Sequence, residues 1–361
     1  MSRLNFHWGE LEDWSEEGIA ALLDSLSPAP VWLTIREWHP TKMRIQAPDT
    51  IGIDYSIRGN FQGPPLPEYI NDWKNFCAKI ARAGKGKVKV IQIGNEPNLE
   101  RAVVDDSIIH QWLGTPEEWA QNILSVLTFI KNEDPDVMIF PGGCGGIATS
   151  DEWYMEGINY LIASGADIDG LDMHYYGDLP EDMVKWNNYL ADVNKWCSQR
   201  SLRYSFTEVG FPNIKFYVDW DVYDSLRTIE CLSMGEVREI YFSELRKVKP
   251  NNLMLPENQN VLADSVAVSF YKFCEVAFNN ECYFVEFFGL CSYDPHWYHN
   301  NTKCLAPEDL YNDRKIWYRT TNIVPGKVIY SQDENWNVKV FPIADTIKSI
   351  SKKLLTKKGV M

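Results

Sequence analysis

The chain of 361 residues has a formal net charge of −15, a hydrophobic fraction of 45% and an aromatic fraction of 13%. This composition excludes an intrinsically disordered chain and supplies enough apolar side chains for a large core. The acidic balance argues against nucleic acid as a partner, because binding a polyanion requires clustered cations. We therefore expect a globular protein that acts on neutral ligands.

The sequence also bears on membrane, redox and metal chemistry. No apolar stretch reaches the roughly 20 residues that a membrane-spanning helix needs, and the start, MSRLNFHWGE, lacks the features of a secretory signal. The eight cysteines are scattered, without CxxC pairs or zinc-ligand spacing. We expect reduced thiols, a cytoplasmic location, no membrane partner, and no metal or other cofactor. The sequence leaves the oligomeric state open.

Strand-like and helix-like stretches alternate along the chain. The predicted strands cover residues 4–8, 31–36, 50–57, 88–93, 136–140, 168–173, 203–207 and 281–290. The predicted helices cover residues 15–26, 67–83, 115–131, 150–163, 180–199, 263–279 and 343–355.

This alternation predicts a parallel sheet with right-handed crossovers. Eight strands in this length fit an α/β fold of one domain over residues 1–361, a single (β/α)8 TIM barrel. Elaborated loops are expected after strands 7 and 8, at residues 213–262 and 292–336. The competing open, doubly wound sheet would carry a glycine fingerprint after its first strand, and NFHWGE has none.

Two strands end in a glutamate. The stretch VKVIQIGNEPN at residues 88–98 places Glu96 after an apolar run, and RYSFTEVGFP at residues 203–212 does the same for Glu208. A carboxylate at the carboxyl end of a buried parallel strand is how a barrel enzyme presents an acid. Two such carboxylates suit double-displacement glycoside hydrolysis. The alternative for each is an exposed glutamate in a turn.

A glycine run follows the predicted strand at residues 136–140. The run PGGCGG lacks both the GK[ST] ending and the GxGxxG spacing of phosphate-binding loops. We expect it to allow close backbone approach at the mouth of the barrel.

Together these motifs resemble clan A of the glycoside hydrolases, the retaining β/α-barrel enzymes. The resemblance rests on four motifs in chain order: Arg36 near the end of the second strand, Asn95-Glu96 at the fourth, His174-Tyr175-Tyr176 at the sixth, and Glu208 in TEVG at the seventh. Within the clan, the chain is about equally similar to family five endoglucanases and family thirty-nine xylosidases.

The resemblance implies roles for these residues in cleaving a β-linked neutral glycan. Glu96 would be the acid/base, protonated when substrate arrives, and Glu208 the ionised nucleophile. Arg36 and the hydroxyl of Tyr176 would stabilise the charge of Glu208.

Further residues are expected to contact the sugar. The Asn95 amide suits the sugar 2-hydroxyl, and His174 would orient a neighbouring side chain or bind a hydroxyl. Many clan members carry a tryptophan after the eighth strand, where this chain offers Phe287 or Phe288 and, slightly later, Trp297. Trp220, in the loop after the seventh strand, is a further candidate for stacking on sugar.

Two other functions stay open. A carbohydrate-binding barrel without turnover is the alternative to the enzyme, although such a protein would be free to lose either glutamate. A metal-dependent barrel hydrolase would need clustered ligands, and the six histidines offer no His-x-His spacing.

Overall fold

The structure is a computed structural model that describes residues 1–26, 29–44, 61–104, 107–176, 183–210, 256–287, 291–293, 330–332, 338–340 and 345–350. The chain divides into two compact units, of which the first comprises Met1–His174 and Val193–Thr207 and the second comprises Tyr175–Asp192 and Glu208–Met361. The prediction of a single domain over the whole chain stays a prediction.

The strands in chain order are β1 (Ser2–His7), β2 (Val31–Arg36), β3 (Val88–Asn95), β4 (Glu100–Val104), β5 (Ser107–His110), β6 (Met138–Gly145), β7 (Gly170–Tyr176), β8 (Arg203–Gly210), β9 (Phe284–Phe287), β10 (Cys291–Tyr293), β11 (Tyr330–Gln332) and β12 (Val338–Val340). The helices are α1 (Trp8–Leu11), α2 (Glu16–Leu26), α3 (Ile70–Gly84), α4 (Pro116–Glu133), α5 (Glu152–Ala163), α6 (Met183–Ser198) and α7 (Pro256–Asn279), with 3-10 turns at Pro67–Tyr69 and Ala148–Ser150.

Parallel pairing joins the strands of the first unit. In the first unit, the described strands run in the order β1-β2-β3-β6-β7-β8. Leu33 of β2 lies opposite Ile91 of β3, and Ile91 lies opposite Ile139 of β6. Helices occupy the chain between most of these strands. The predicted parallel α/β sheet is therefore confirmed, while closure into a full eight-stranded barrel stays a prediction.

The strand numbering inferred from sequence needs correction. The predicted third strand, residues 50–57, lies outside the described residues. However, β2 pairs directly with β3 from Val31 to Ile35, so no strand fits between them. Along the sheet, Glu96 therefore follows the third strand and Glu208 lies in the sixth, instead of the fourth and seventh.

The core of the first unit lies between these strands and helices α2 to α5. The indole of Trp32 donates to Gln92 Oε1 at 2.7 Å, and its ring packs on Phe140 with centroids 4.7 Å apart. Trp73 of α3 and Trp119 of α4 are fully buried. These contacts fix the position of β3, which leads to Glu96.

The start of α4 forms a capping box. The Thr115 hydroxyl accepts from the Glu118 backbone N–H, the Glu118 carboxylate accepts from the Thr115 N–H, and Pro116 occupies the first turn. This arrangement satisfies two backbone donors that a helix start otherwise leaves unpaired.

The second unit has its own aromatic packing and a small sheet. Trp186 contacts Tyr175 and Phe273 with ring centroids 5.0 and 5.4 Å apart. Strand β11 pairs parallel with β10 and antiparallel with β12. Within the strand predicted over residues 281–290, the described β9 covers Phe284–Phe287, and the following β10 belongs to the small sheet. Among the described residues, no helix combines the length and apolar character needed to cross a membrane.

Candidate active site

Glu96 lies at a backbone position that non-glycine residues rarely adopt. Its φ of 47° is in the left-handed region, directly after Gly94 at φ 84° and Asn95 at the end of β3. The Glu96 N–H donates to the Gly143 carbonyl of β6 at 2.7 Å. Such a conformation costs about 1–3 kcal/mol and is often found at functional sites. The turn therefore aims the Glu96 side chain at some energetic cost.

The glycine run on β6 permits the close approach that its sequence predicted. A side chain at Gly142 would lie 3.1 Å from the backbone of Gly94. One at Gly143 would lie 2.6 Å from His174 Nε2 and 2.7 Å from Asp172 Oδ2. Because these sites have no room for a Cβ, glycine is required there for β3, β6 and β7 to bring Glu96 and His174 together.

His174 holds Glu96 by a direct side-chain contact. Its Nδ1 lies 2.8 Å from Glu96 Oε1, and the ring is almost wholly buried while the Glu96 side chain is 18% exposed. Among the described residues, Glu96 Oε2 has no hydrogen-bond partner. One carboxyl oxygen is thus fixed by His174, and the other is left for a ligand.

A buried network orients the His174 ring. The Thr207 hydroxyl donates to Asp172 Oδ2 at 2.5 Å, and the Thr207 N–H donates to Asp172 Oδ1 at 3.0 Å. The hydroxyl oxygen is therefore left as an acceptor for His174 Nε2, which lies 3.3 Å away, and Asp172 Oδ2 lies 3.5 Å from the same nitrogen. Thr207 and Asp172 thus hold the Nε2 side of the ring, and Nδ1 faces Glu96 Oε1.

Asn95 is held by partners that the sequence did not suggest. Its Oδ1 accepts from Arg3 Nη2 at 2.5 Å, which identifies Nδ2 as the free donor of the amide. Gln62 binds the Asn95 backbone at both N–H and carbonyl, at 3.1 and 2.6 Å, and Gln111 donates to the same carbonyl at 2.8 Å. Arg3 also donates to Thr34 at 3.0 Å.

Glu208 follows Thr207 directly in β8 and is 7% exposed. Arg36, at the end of β2, donates from Nε to Asn5 Oδ1 at 3.4 Å. The ion pair predicted between Arg36 and Glu208 stays a prediction. Tyr176 closes β7, but its side chain is not among those described, and Trp220, Phe288 and Trp297 lie outside the described residues.

A hairpin that the sequence patterns did not predict begins four residues after Glu96. Strands β4 and β5 pair antiparallel, and Val104 lies opposite Ser107. The Trp112 N–H after the hairpin donates to the Pro97 carbonyl at 3.1 Å. In the sequence, the short apolar runs on either side of Asp105-Asp106 could have indicated this hairpin. The hairpin thus returns the chain to the Glu96 turn, where Gln111 binds Asn95.

The chemical type of these groups also permits metal binding in principle. Glu96 and His174 each present an atom of the kind that coordinates divalent cations. Their mutual hydrogen bond at 2.8 Å occupies both atoms. The arrangement in the first unit therefore fixes one oxygen of Glu96 and leaves Oε2 without a hydrogen bond among the described residues.

Comparisons with known proteins found similar folds among solved structures. No family model and no curated protein matches the sequence. A family 39 glycoside hydrolase from Bacteroides cellulosilyticus WH2 matches 96% of this chain at 11% identity, with a TM-score of 0.51. Xylanase 10B of Thermotoga maritima matches 99% of the chain at 14% identity, with a TM-score of 0.47. A glucosidase from Croceicoccus marinus matches 58% at 13% identity, with a TM-score of 0.40.

The chain spans 56% of the family 39 enzyme, 88% of the xylanase and 44% of the glucosidase. The first of these likenesses shows a shared fold, and it confirms at that level the resemblance inferred from the sequence motifs.

Proposed function

We propose that this protein is a retaining glycoside hydrolase that cleaves β-glycosidic bonds of a neutral oligo- or polysaccharide, with Glu96 as acid/base and Glu208 as nucleophile. The contact between Glu96 and the buried His174 ring carries the proposal. It fixes one oxygen of a partly exposed carboxyl group at the end of a buried strand and leaves the other oxygen for the glycosidic bond.

The mechanism assigns each group a step. Glu208 attacks the anomeric carbon while Glu96 protonates the departing oxygen, which gives a covalent glycosyl-enzyme and a free alcohol. Glu96, now ionised, removes a proton from water, and the water releases the sugar from Glu208 with its original configuration. His174 orients Glu96 in both steps because the Asp172–Thr207 pair fixes its ring.

Asn95 would bind the sugar beside these groups. Because Arg3 occupies Oδ1, Asn95 presents Nδ2–H as a donor, and the 2-hydroxyl oxygen of the reacting sugar is a suitable acceptor. A hydrogen bond to this hydroxyl strengthens as positive charge develops at the anomeric centre.

The test is a screen of aryl β-glycosides and polysaccharides, with and without a chelator, in which proton NMR records the first anomer released. We expect hydrolysis with retention, no effect of the chelator, and loss of activity in Glu208→Gln with unchanged circular dichroism. Release of the inverted anomer would reject the double displacement. Binding of glycans without any turnover would favour the carbohydrate-binding alternative.

A further inference from the structure

A second acid, Glu37, lies buried behind the Glu96 turn. It follows β2 directly and is 1% exposed. A Cβ built on Gly94 would meet its two carboxyl oxygens at 3.2 and 3.3 Å, so this carboxyl group packs against the β3 backbone immediately before Asn95 and Glu96. The mechanism proposed above gives this group no role.

The hydrogen bonding of Glu37 is incomplete in a specific way. Asn122 of α4, itself 6% exposed, donates from Nδ2 to Glu37 Oε1 at 3.2 Å. Glu37 Oε2 and Asn122 Oδ1 are both buried and without a hydrogen-bond partner among the described residues. If Glu37 is ionised, both unpaired atoms are acceptors, and neither can satisfy the other. A single proton on Oε2 turns one of them into a donor.

We propose that Glu37 is a neutral carboxylic acid that pairs with the Asn122 amide and thereby positions the Gly94 backbone that leads to Asn95 and Glu96. In this pair the acid O–H is the donor to Asn122 Oδ1, and the amide N–H is the donor to Glu37 Oε1. A protonated acid and a primary amide have complementary donors and acceptors, so both unpaired atoms are satisfied without water.

Burial of the carboxyl group favours the neutral acid. Burial raises the pKa of Glu37 to about 8, while Arg36, next to it in the chain, acts in the opposite direction. On α3 it faces Cys77, whose thiol pKa is itself raised by burial and by the Glu37 charge. The Glu37 backbone N–H and the side chains of Trp112 and Asn122 also lower this pKa, and burial outweighs them.

The sign of the pH dependence follows from the raised pKa. The folded protein holds the Glu37 proton up to about pH 8, whereas the unfolded chain releases it near the ordinary value of 4.5. The folded state therefore binds more protons between these values, and stability falls as the pH rises through this window. Glu37→Gln keeps the shape and the amide pairing but cannot titrate.

Two measurements that need no substrate test the proposal. Infrared difference spectra of wild type minus Glu37→Gln at pH 7 should show the carbonyl band of a protonated carboxyl group. Urea unfolding from pH 5 to pH 8 should show that wild type loses stability relative to Glu37→Gln as the pH rises. Glu117→Gln, an exposed acid on α4, is the matched control and should show neither effect. The absence of the band, or parallel stability curves for wild type and Glu37→Gln, would overturn the proposal.

A third measurement, which rests on the proposed function, tests the positioning role. With an activated aryl β-glycoside, the kcat/KM of wild type should fall by about tenfold for each pH unit above 8, as the protonated fraction falls. Glu37→Gln should remove that decline, whereas Glu37→Leu, which cannot pair with Asn122, should lower activity at every pH. Equal profiles for wild type and Glu37→Gln would reject the positioning role. If the protein hydrolyses no glycoside, the infrared and unfolding results still decide whether Glu37 is neutral.

Discussion

His174 Nδ1 lies 2.8 Å from Glu96 Oε1 and joins strand β7 to the turn after β3. The histidine is buried and its other nitrogen faces Thr207 and Asp172. Because Thr207 and Asp172 hold the Nε2 side of the buried His174 ring, we infer that the ring restrains the Glu96 carboxyl group. We therefore regard His174 as the residue that positions the proposed acid/base.

Removing this restraint should affect substrates according to their leaving groups. We expect His174→Phe to lower kcat/KM by about 100-fold for glycosides with poor leaving groups, since general acid catalysis typically contributes 10²–10⁴-fold. Activated aryl glycosides, which need little protonation, should lose much less. His110→Phe is the control, because His110 lies in β5 and its ring packs on Trp153 of α5. Equal losses for both substrate classes would show that His174 does not act through Glu96.

Arg3 should matter only when the sugar carries a 2-hydroxyl. Its contact with Asn95 Oδ1 at 2.5 Å keeps the amide nitrogen available as a donor. We expect Arg3→Met to lower kcat by about tenfold on an ordinary glycoside, equivalent to about 1.4 kcal/mol. The matching 2-deoxy glycoside should be hydrolysed equally well by both proteins. A similar loss on both substrates would mean that Arg3 supports the fold and not the sugar contact.

The glycine at position 143 is predicted to be indispensable for the site. An added methyl would meet His174 Nε2 at 2.6 Å and Asp172 Oδ2 at 2.7 Å, so Gly143→Ala should destabilise the protein by about 1–3 kcal/mol and reduce turnover further. Gly18→Ala is the control, since that glycine lies in α2 and has only ordinary contacts from 3.5 Å. There, alanine should raise the stability by up to about 1 kcal/mol in urea unfolding. A Gly143→Ala protein with wild-type stability and turnover would contradict the close packing of Gly143 against His174 and Asp172.

The sequence predicted those parts of the structure that depend on local periodicity. The apolar run of β3 and the capping pattern of α4 are visible in a single stretch, and both were found. The sequence also predicted that the glycine run allows close backbone approach, because the run lacks the patterns of a phosphate-binding loop. The strand predicted over residues 50–57 lies outside the described residues, and the sequence could not show that β2 pairs directly with β3.

The partners of the site residues depend on contacts between distant parts of the chain. Arg3 and Asn95 are 92 positions apart, and Asn122 and Glu37 are 85 apart. No spacing rule connects such pairs, so the sequence suggested Asn95 and His174 as candidates without indicating which residues orient them. Glu37 was visible only as a neighbour of Arg36, because its burial depends on α3 and α4 packing over the end of β2.

The most direct test of the proposed roles is azide rescue of the two alanine variants with an aryl β-glycoside that the screen identifies. In Glu208→Ala, azide should replace the missing nucleophile and give the α-glycosyl azide. In Glu96→Ala, the glycosyl-enzyme should form and azide should attack it, which gives the β-glycosyl azide. Proton NMR of the products distinguishes the two anomers. The reverse assignment would contradict the roles given to Glu96 and Glu208, and no rescue in either variant, despite wild-type turnover and intact folding, would contradict the pair itself.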